Sequence, residues 1–217
     1  MRKGLEDIIV SFDGNMEDLE NLKVASIDSV EEWKHFKERR LFLDFEIASM
    51  FLNSFIKYIL RWNAEDKDIP VENRKPIKIF IDSPGGDLQA CMTFIDILKM
   101  SKTPIHLICM SGAYSAAGLI FMCKSDNVVR KILPRAKVLV HQGTISTGQA
   151  LQTNQFLDTA EHVKKEEANI KRYILENTNI DDKLYNRKKK NEWMLSSEEC
   201  LKLGVCDEIV TDINDLI

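Results

Sequence analysis

Apolar positions along the chain change period several times, and each change predicts an element. Arg40-Leu-Phe-Leu43 reads as a short strand, and Glu46 to Trp62 places Ile47, Phe51, Phe55, Tyr58, Ile59 and Trp62 at helical spacing. Asn63 to Lys75 is charged, has no period and reads as a loop. Strand and helix then alternate: strand Ile77 to Ile81, helix Leu88 to Met100, strand Ile105 to Met110, helix Ser115 to Cys123, strand Lys137 to Val140. Such alternation with short connections predicts an α/β fold with a parallel or mainly parallel sheet covered by helices. Gln149 to Asn177 is polar and helix-favouring, with Leu157, Ala160, Val163, Ala168, Ile170, Tyr173 and Ile174 as a discontinuous apolar set. This predicts a long amphipathic helix that needs a surface to lie against. Ser196-Ser-Glu-Glu199 has the pattern of a capping box opening a short helix through Leu203, stopped by Gly204, and Val205 to Val210 reads as a last strand.

Residues 1–36 are polar and acidic apart from Ile8-Ile-Val-Ser-Phe12, and read as the least core-like and most mobile part. No internal repeat, low-complexity tract or Pro/Gly/Ser linker appears. The expectation is therefore a single domain over residues 37–217 behind an N-terminal segment, 1–36.

Composition removes several classes of function. A chain of 217 residues suits one α/β domain, and a formal charge of −4 with 29% charged residues offers no basic surface to a phosphate backbone, so no nucleic-acid partner is expected. The longest apolar runs, Ile105 to Met110 and Ala113 to Cys123, are far short of a membrane span. Met1-Arg-Lys leads into Gly-Leu-Glu-Asp and not into an apolar run, so no signal peptide is expected and a cytoplasmic location follows as the default. The five cysteines form no CxxC pair, and four lie in apolar context, which suits reduced core residues. Without closely spaced ligand pairs no metal site is expected.

The candidate chemistry sits at strand ends, where α/β sheets gather ligands. Asp82-Ser-Pro-Gly-Gly86 follows the Ile77 strand: Pro84 fixes one backbone angle, and the two glycines leave backbone N–H groups uncovered. It reads either as a tight turn or as an oxyanion cradle at a helix start. The next strand ends at Ser-Gly-Ala-Tyr-Ser115-Ala-Ala-Gly118, whose small residues would expose the Ser115 hydroxyl, either as a nucleophile or as a helix cap. The third strand ends on His141. Oxyanion donor, nucleophile and general base thus come from three successive strand ends. His35, His106 and His162 have weaker claims. Gly143-Thr-Ile-Ser-Thr-Gly148 has the glycine spacing of a phosphate loop, but Gln149-Ala150 stands where the Lys-Ser/Thr pair would be needed.

Taken together these motifs resemble the proteolytic subunit of Clp protease (ClpP), within the ClpP/crotonase superfamily. The matching pieces are Phe36-Lys-Glu-Arg-Arg-Leu-Phe-Leu43, Ile79-Phe-Ile-Asp-Ser-Pro-Gly-Gly86, Gly112-Ala-Tyr-Ser-Ala-Ala-Gly118, Leu133-Pro-Arg-Ala-Lys-Val-Leu-Val-His-Gln142, Gly148-Gln-Ala150 and Leu195 to Asp207. They fall in the family's order over roughly residues 36–210. The resemblance implies stacked β-α-β units with a long handle helix at about 149–177. It assigns Ser115 as nucleophile, His141 as general base and the backbone N–H groups of Gly86 and Ala116 as the oxyanion hole.

Ungapped alignment back from Asp207 puts Glu192 where the family has its triad aspartate. If Trp193 takes the place of the family's aromatic residue, Asn191 becomes the match, and Asp181 or Asp182 are nearby alternatives. Gly143 also stands where the family usually has proline, and Asp44-Phe45 where it has a small turn. The implied activity is ATP-dependent serine endopeptidase cleavage of unfolded polypeptides, with no cofactor. It would take place inside two stacked heptameric rings fed by an AAA+ Clp ATPase, with residues 1–36 contributing axial loops. Two other readings stay open: a non-catalytic ring subunit, and a phage-type relative that processes capsid or scaffold proteins. A crotonase-like acyl-CoA enzyme would leave Ser115 and His141 without a purpose.

Overall fold

The computed structural model describes residues 27–141, 143 and 152–216. The Ile8 to Phe12 stretch, Gln142, the loop 144–148 and residues 149–151 of the expected handle helix lie outside the described residues.

Two compact units divide at Leu41/Phe42. In the first, Ile27–Lys37 forms helix α1, with Trp33 and Phe36 buried and their rings stacked at 5.8 Å. Lys37 Nζ lies 4.6 Å from the centre of the Trp33 ring. A segment that composition marked as polar thus holds a helix with an aromatic pair. Strand β1, Arg40–Leu43, spans the division.

The second unit carries helix α2 (Ser49–Glu65), strand β2 (Ile77–Ser83), helix α3 (Leu88–Met100) and strand β3 (Ile105–Tyr114). Helix α4 (Ala116–Phe121) and strands β4 (Val128–Ile132) and β5 (Lys137–Val140) follow. The chain ends with α5 (Thr153–Asn177), α6 (Asp182–Lys188), β6 (Trp193–Ser196), α7 (Ser197–Lys202) and β7 (Glu208–Ile209). The strands form one sheet in the order β1-β2-β3-β4-β7, with β5 beside β3 and β6 beside β5. Pairings β2–β3, β3–β4, β3–β5 and β4–β7 are parallel, and β5–β6 is antiparallel. The expected mainly parallel sheet is what the chain forms.

Strand β3 decides where the site lies. Its first half, Ile105 to Cys109, pairs with β4, and its second half, Gly112 to Tyr114, pairs with β5. At the change of partner its register with β2 also slips, from Ile81 opposite Cys109 to Ser83 opposite Ala113. The extra residues turn the end of β3 out of the β4 plane and towards β5.

Helices cover the sheet through periodic apolar faces. Leu52, Phe55, Ile59 and Trp62 of α2 are buried, as are Ala90, Cys91, Phe94, Ile95 and Leu98 of α3, which contacts both α2 and α4. Helix α2 begins at Ser49 and not at Glu46, because Ile47 is held in a bridge to Gly86. All five cysteines are buried and free, and burial pushes the Cys123 thiol up to about 11 and that of Cys109 to about 12.

Strand β4 escaped the sequence pattern because Arg130 occupies one of its inward positions between Val128 and Ile132. Arg130 is 2% exposed and is satisfied throughout. Its Nε and Nη2 donate to the Asp207 carboxylate at 3.1 and 2.6 Å. Its Nη1 donates to the carbonyls of Met122, Asn177 and Gly204 at 3.3, 3.1 and 2.9 Å. One buried cation therefore ties α4, the end of α5 and the α7–β7 turn to β4. Tyr173 adds a second tie, its hydroxyl donating to the Leu119 carbonyl at 3.0 Å. The long helix is thus anchored through Tyr173, Ile174 and Asn177, while Phe156 and Leu157 near its start are exposed.

The expected last strand shrinks to Glu208–Ile209, because the amides of Val205 and Cys206 instead close on the Cys200 carbonyl at 2.8 and 3.3 Å. Helix α6 was missed by pattern, since Tyr185 is its one buried residue.

Removing Asp207 leaves a buried guanidinium without its counter-charge. Asp207→Ala should therefore lower stability by about 3 kcal/mol, read from the urea unfolding midpoint. Burial raises the pKa of Asp207, but the hydrogen bonds and charge of Arg130 outweigh it and hold the carboxyl below its usual value. The contribution is present above the unfolded carboxyl pKa of about 3.9 and lost as pH falls through the lower folded value. A pH titration of stability should show this acid loss in the parent chain and a flatter curve below about pH 4 in Asp207→Ala.

Candidate functional site

Ser115 directly follows β3 with φ 54° and ψ −122°, and Arg39 is the other non-glycine residue at positive φ among those described. That geometry turns the chain sharply from strand into α4 and puts the side chain at the apex. Ser115 makes no capping hydrogen bond to α4. The helix-cap alternative therefore fails, and the strained backbone leaves the hydroxyl uncommitted to the helix.

The turn after β2 lies directly against this junction. A Cβ at Gly85, where φ is +94°, would stand 2.8 Å from Ser115 Cβ and 2.9 Å from the Ala116 nitrogen. Neighbouring backbone groups of the turn are spent: Gly85 N–H donates to Ser83 Oγ at 3.2 Å, the Gly85 carbonyl accepts from Ile47 N–H at 2.7 Å, and Asp87 N–H donates to the Ile47 carbonyl at 2.9 Å. The Gly86 N–H has no partner among the described residues. Ala116 is the first residue of α4, where helical geometry leaves the N–H without an intrahelical acceptor.

Strand pairing brings these groups close. Tyr114 pairs with Leu139, two residues before His141, so the end of β3 that carries Ser115 runs beside the end of β5. Ser83 pairs with Ala113, and the turn that follows presses Gly85 against Ser115 and the Ala116 nitrogen. Gly86, Ser115, Ala116 and His141 all line one cavity of about 640 Å³. His141 Nε2 is buried and has no hydrogen-bond partner among the described residues, so Ser115 and His141 share the cavity without a bond between them. Such contacts commonly tighten only when substrate is present.

Two candidates for the third triad position have partners of their own. Asp181 caps α6 by accepting from Leu184 N–H at 2.6 Å, and Asp182 pairs with Lys171. Val140 pairs with Trp193, so the strand pairing ends one residue short of both His141 and Glu192. Glu192 is exposed and lines no part of the cavity. The structure thus brings four of the five expected residues to one cavity, and Glu192 is not among its lining residues.

Sequence reasoning missed the wall opposite. Helix α5 contributes Thr159, His162, Val163, Glu166, Glu167 and Ile170, and His162 had been given a weaker claim than His141. The signal was their recurrence at steps of three and four, partly in polar residues that an apolar count ignores. His106 lies away from this cavity in β3, with its pKa lowered by burial and then by Lys131 and Lys78.

Strain at Ser115 has a measurable sign. Ser115→Gly should be more stable than Ser115→Ala by about 1 kcal/mol, the reverse of the order at an ordinary helix or strand position, in matched denaturation curves.

Comparison with known proteins is specific. Residues 25–212 match the family model described as Clp protease. A Streptococcus thermophilus protein named ATP-dependent Clp protease proteolytic subunit is 28% identical over 177 residues, covering 81% of this chain and 86% of its own length. Proteins of the same name from Streptococcus sanguinis and Streptococcus pyogenes are 25% and 26% identical, covering 82% and 80% of this chain and 87% and 85% of theirs. With its mainly parallel sheet, long helix α5 and motifs in the family's order, this chain belongs to the Clp protease family.

Proposed function

We propose that this chain is a peptidase of the serine type, cutting peptide bonds of unfolded proteins as the proteolytic subunit of an ATP-dependent Clp protease. Family membership supports a ClpP-type peptidase, and the observation that carries the serine assignment is the positive-φ Ser115 facing the cavity it shares with His141.

In the proposed reaction His141 Nε2 takes the Ser115 proton as Oγ attacks the substrate carbonyl carbon. The oxygen, now negative, accepts from the N–H groups of Gly86 and Ala116. His141 then gives its proton to the leaving amine, and the peptide C–N bond breaks to leave an ester on Ser115. Water adds by the same route and releases the acid. Glu192 is the proposed third member, and a rotation of its exposed side chain towards His141 is what the role demands. No step calls for a metal or organic cofactor.

The assembly follows from the same family reading: heptameric rings stacked in pairs, with α5 between rings and its exposed Phe156 and Leu157 covered there. An AAA+ Clp ATPase would feed unfolded polypeptide into the chamber, and the proposed location is the cytoplasm. Among the described residues no helix is long and apolar enough to cross a membrane. One observation favours a second reading, a non-catalytic ring subunit: Glu192, the expected third member, is exposed and lines no part of the cavity that holds His141.

Digestion of unfolded casein by the assembled chain, with and without a Clp ATPase and ATP, separates these readings. Casein loss should require the ATPase, and Ser115→Ala should abolish it. His141→Ala should slow it by about three orders of magnitude, and Glu192→Ala by about tenfold or more. An assembled oligomer that leaves casein and short peptides intact would establish the non-catalytic subunit. Full activity in Glu192→Ala would remove that residue from the mechanism.

A further inference from the structure

One wall of the cavity is not used by the acyl-transfer groups. Along α5 the lining residues recur from Thr159 to Ile174, fifteen residues or about 22 Å of helix, the length of roughly six or seven residues of extended peptide. One end is apolar, formed by Ile170 and Ile174 with Leu119 and Met122 across from them, the last three buried. Directly beside this apolar end stand Glu166 and Glu167, both half-buried.

These carboxylates differ from the other charges around them. Glu161 is paired with Lys165 and Asp182 with Lys171, whereas neither Glu166 nor Glu167 takes part in an ion pair among the described residues. Glu166 accepts only a long bond from Asn169 at 3.4 Å. The other titratable groups lining the cavity are Asp87, whose carboxylate caps α3, and the histidines His141 and His162. No lysine or arginine lines it among the described residues. A concave, partly desolvated site lined by carboxylates alone among the fully charged groups holds a negative potential, and its unpaired acids gain from any cation brought into it.

We infer that Glu166 and Glu167 form a cation-selective subsite of the substrate cavity. Peptide segments bearing lysine or arginine are favoured there: the aliphatic stem lies on Ile170, Leu119 and Met122, and the charged end meets the two carboxylates. An acidic side chain in the same place meets like charge and is disfavoured. The substrate class this adds is unfolded polypeptide with basic residues close to the cleaved bond. The inference rests on the peptidase reading for its consequence in turnover, but not for the binding preference itself.

The test uses the full-length assembled chain and quenched fluorogenic peptides in which a single Lys, Leu or Glu is scanned through the positions flanking the cleaved bond. At one or more positions the ratio of kcat/KM for the Lys peptide over the Glu peptide should be about tenfold or more, shrinking with added salt. In Glu166→Gln/Glu167→Gln that ratio should collapse towards one. A ratio that does not move between parent and double variant overturns the subsite. Binding of fluorescein-labelled Lys and Glu peptides to Ser115→Ala, by anisotropy, keeps this separate from catalysis. If the parent chain proves unreactive but Ser115→Ala still binds the Lys peptide more tightly, and the double Gln substitution erases the difference, the subsite stands and the peptidase reading falls. Equal affinities for both peptides in a catalytically active protein overturn the subsite alone.

Discussion

A glycine pressed against a serine is the contact on which the site depends. Gly85 lies so close to Ser115 and the Ala116 nitrogen that any Cβ at position 85 would collide with them, and its φ of +94° suits glycine alone. That approach brings the turn after β2 against the α4 N-terminus, and Gly86 and Ala116 line the same cavity. The same crowding holds Ser115 in a backbone conformation that an isolated chain would avoid, so the strain is supported from both neighbouring strands. Gly118 extends the requirement one turn on, since a Cβ there would come within 3.0 Å of the Leu139 carbonyl on β5.

The sheet makes this possible by giving β3 two sets of partners. While paired with β4, it is an ordinary buried parallel strand; past Met110 it slips against β2 and joins β5. His141 reaches the cavity because β5 was recruited there, and Glu192 directly precedes β6, which runs antiparallel to β5. On the far side, Arg130 and Asp207 fasten the end of α5 to β4. The long helix is thereby fixed at its Asn177 end, and its lining residues form the second wall of the cavity. Catalytic groups and substrate wall thus hang on different parts of the chain, joined through one sheet.

Much of this was legible in sequence because it is local. The Leu88–Met100 helix and the Lys137–Val140 strand form over the residues their apolar spacing indicates, and Ser196 and Glu199 close the capping box their order suggests. Strand ends carrying Gly86, Ser115 and His141 could be located because turns are written in small residues. What could not be read is set by distant partners. β4 hides behind an arginine that is buried only because Asp207, far along the chain, neutralises it. The first turn expected for α2 is given up because Ile47 bridges Gly86, and the expected last strand is shortened by a turn onto Cys200. The glutamates of α5 look like surface residues until the sheet is placed beneath them.

The central claim is that Gly86, Ser115, Ala116 and His141 form one acyl-transfer site, and a crystal structure of the assembled chain with a peptidyl boronic acid tests it most directly. The account predicts a bond from Ser115 Oγ to boron, with one boronate oxygen within hydrogen-bond distance of both the Gly86 and Ala116 nitrogens and His141 Nε2 beside the other. A boronate absent from Ser115 at saturating concentration, or bound there with its oxygen turned away from both amides, would contradict it.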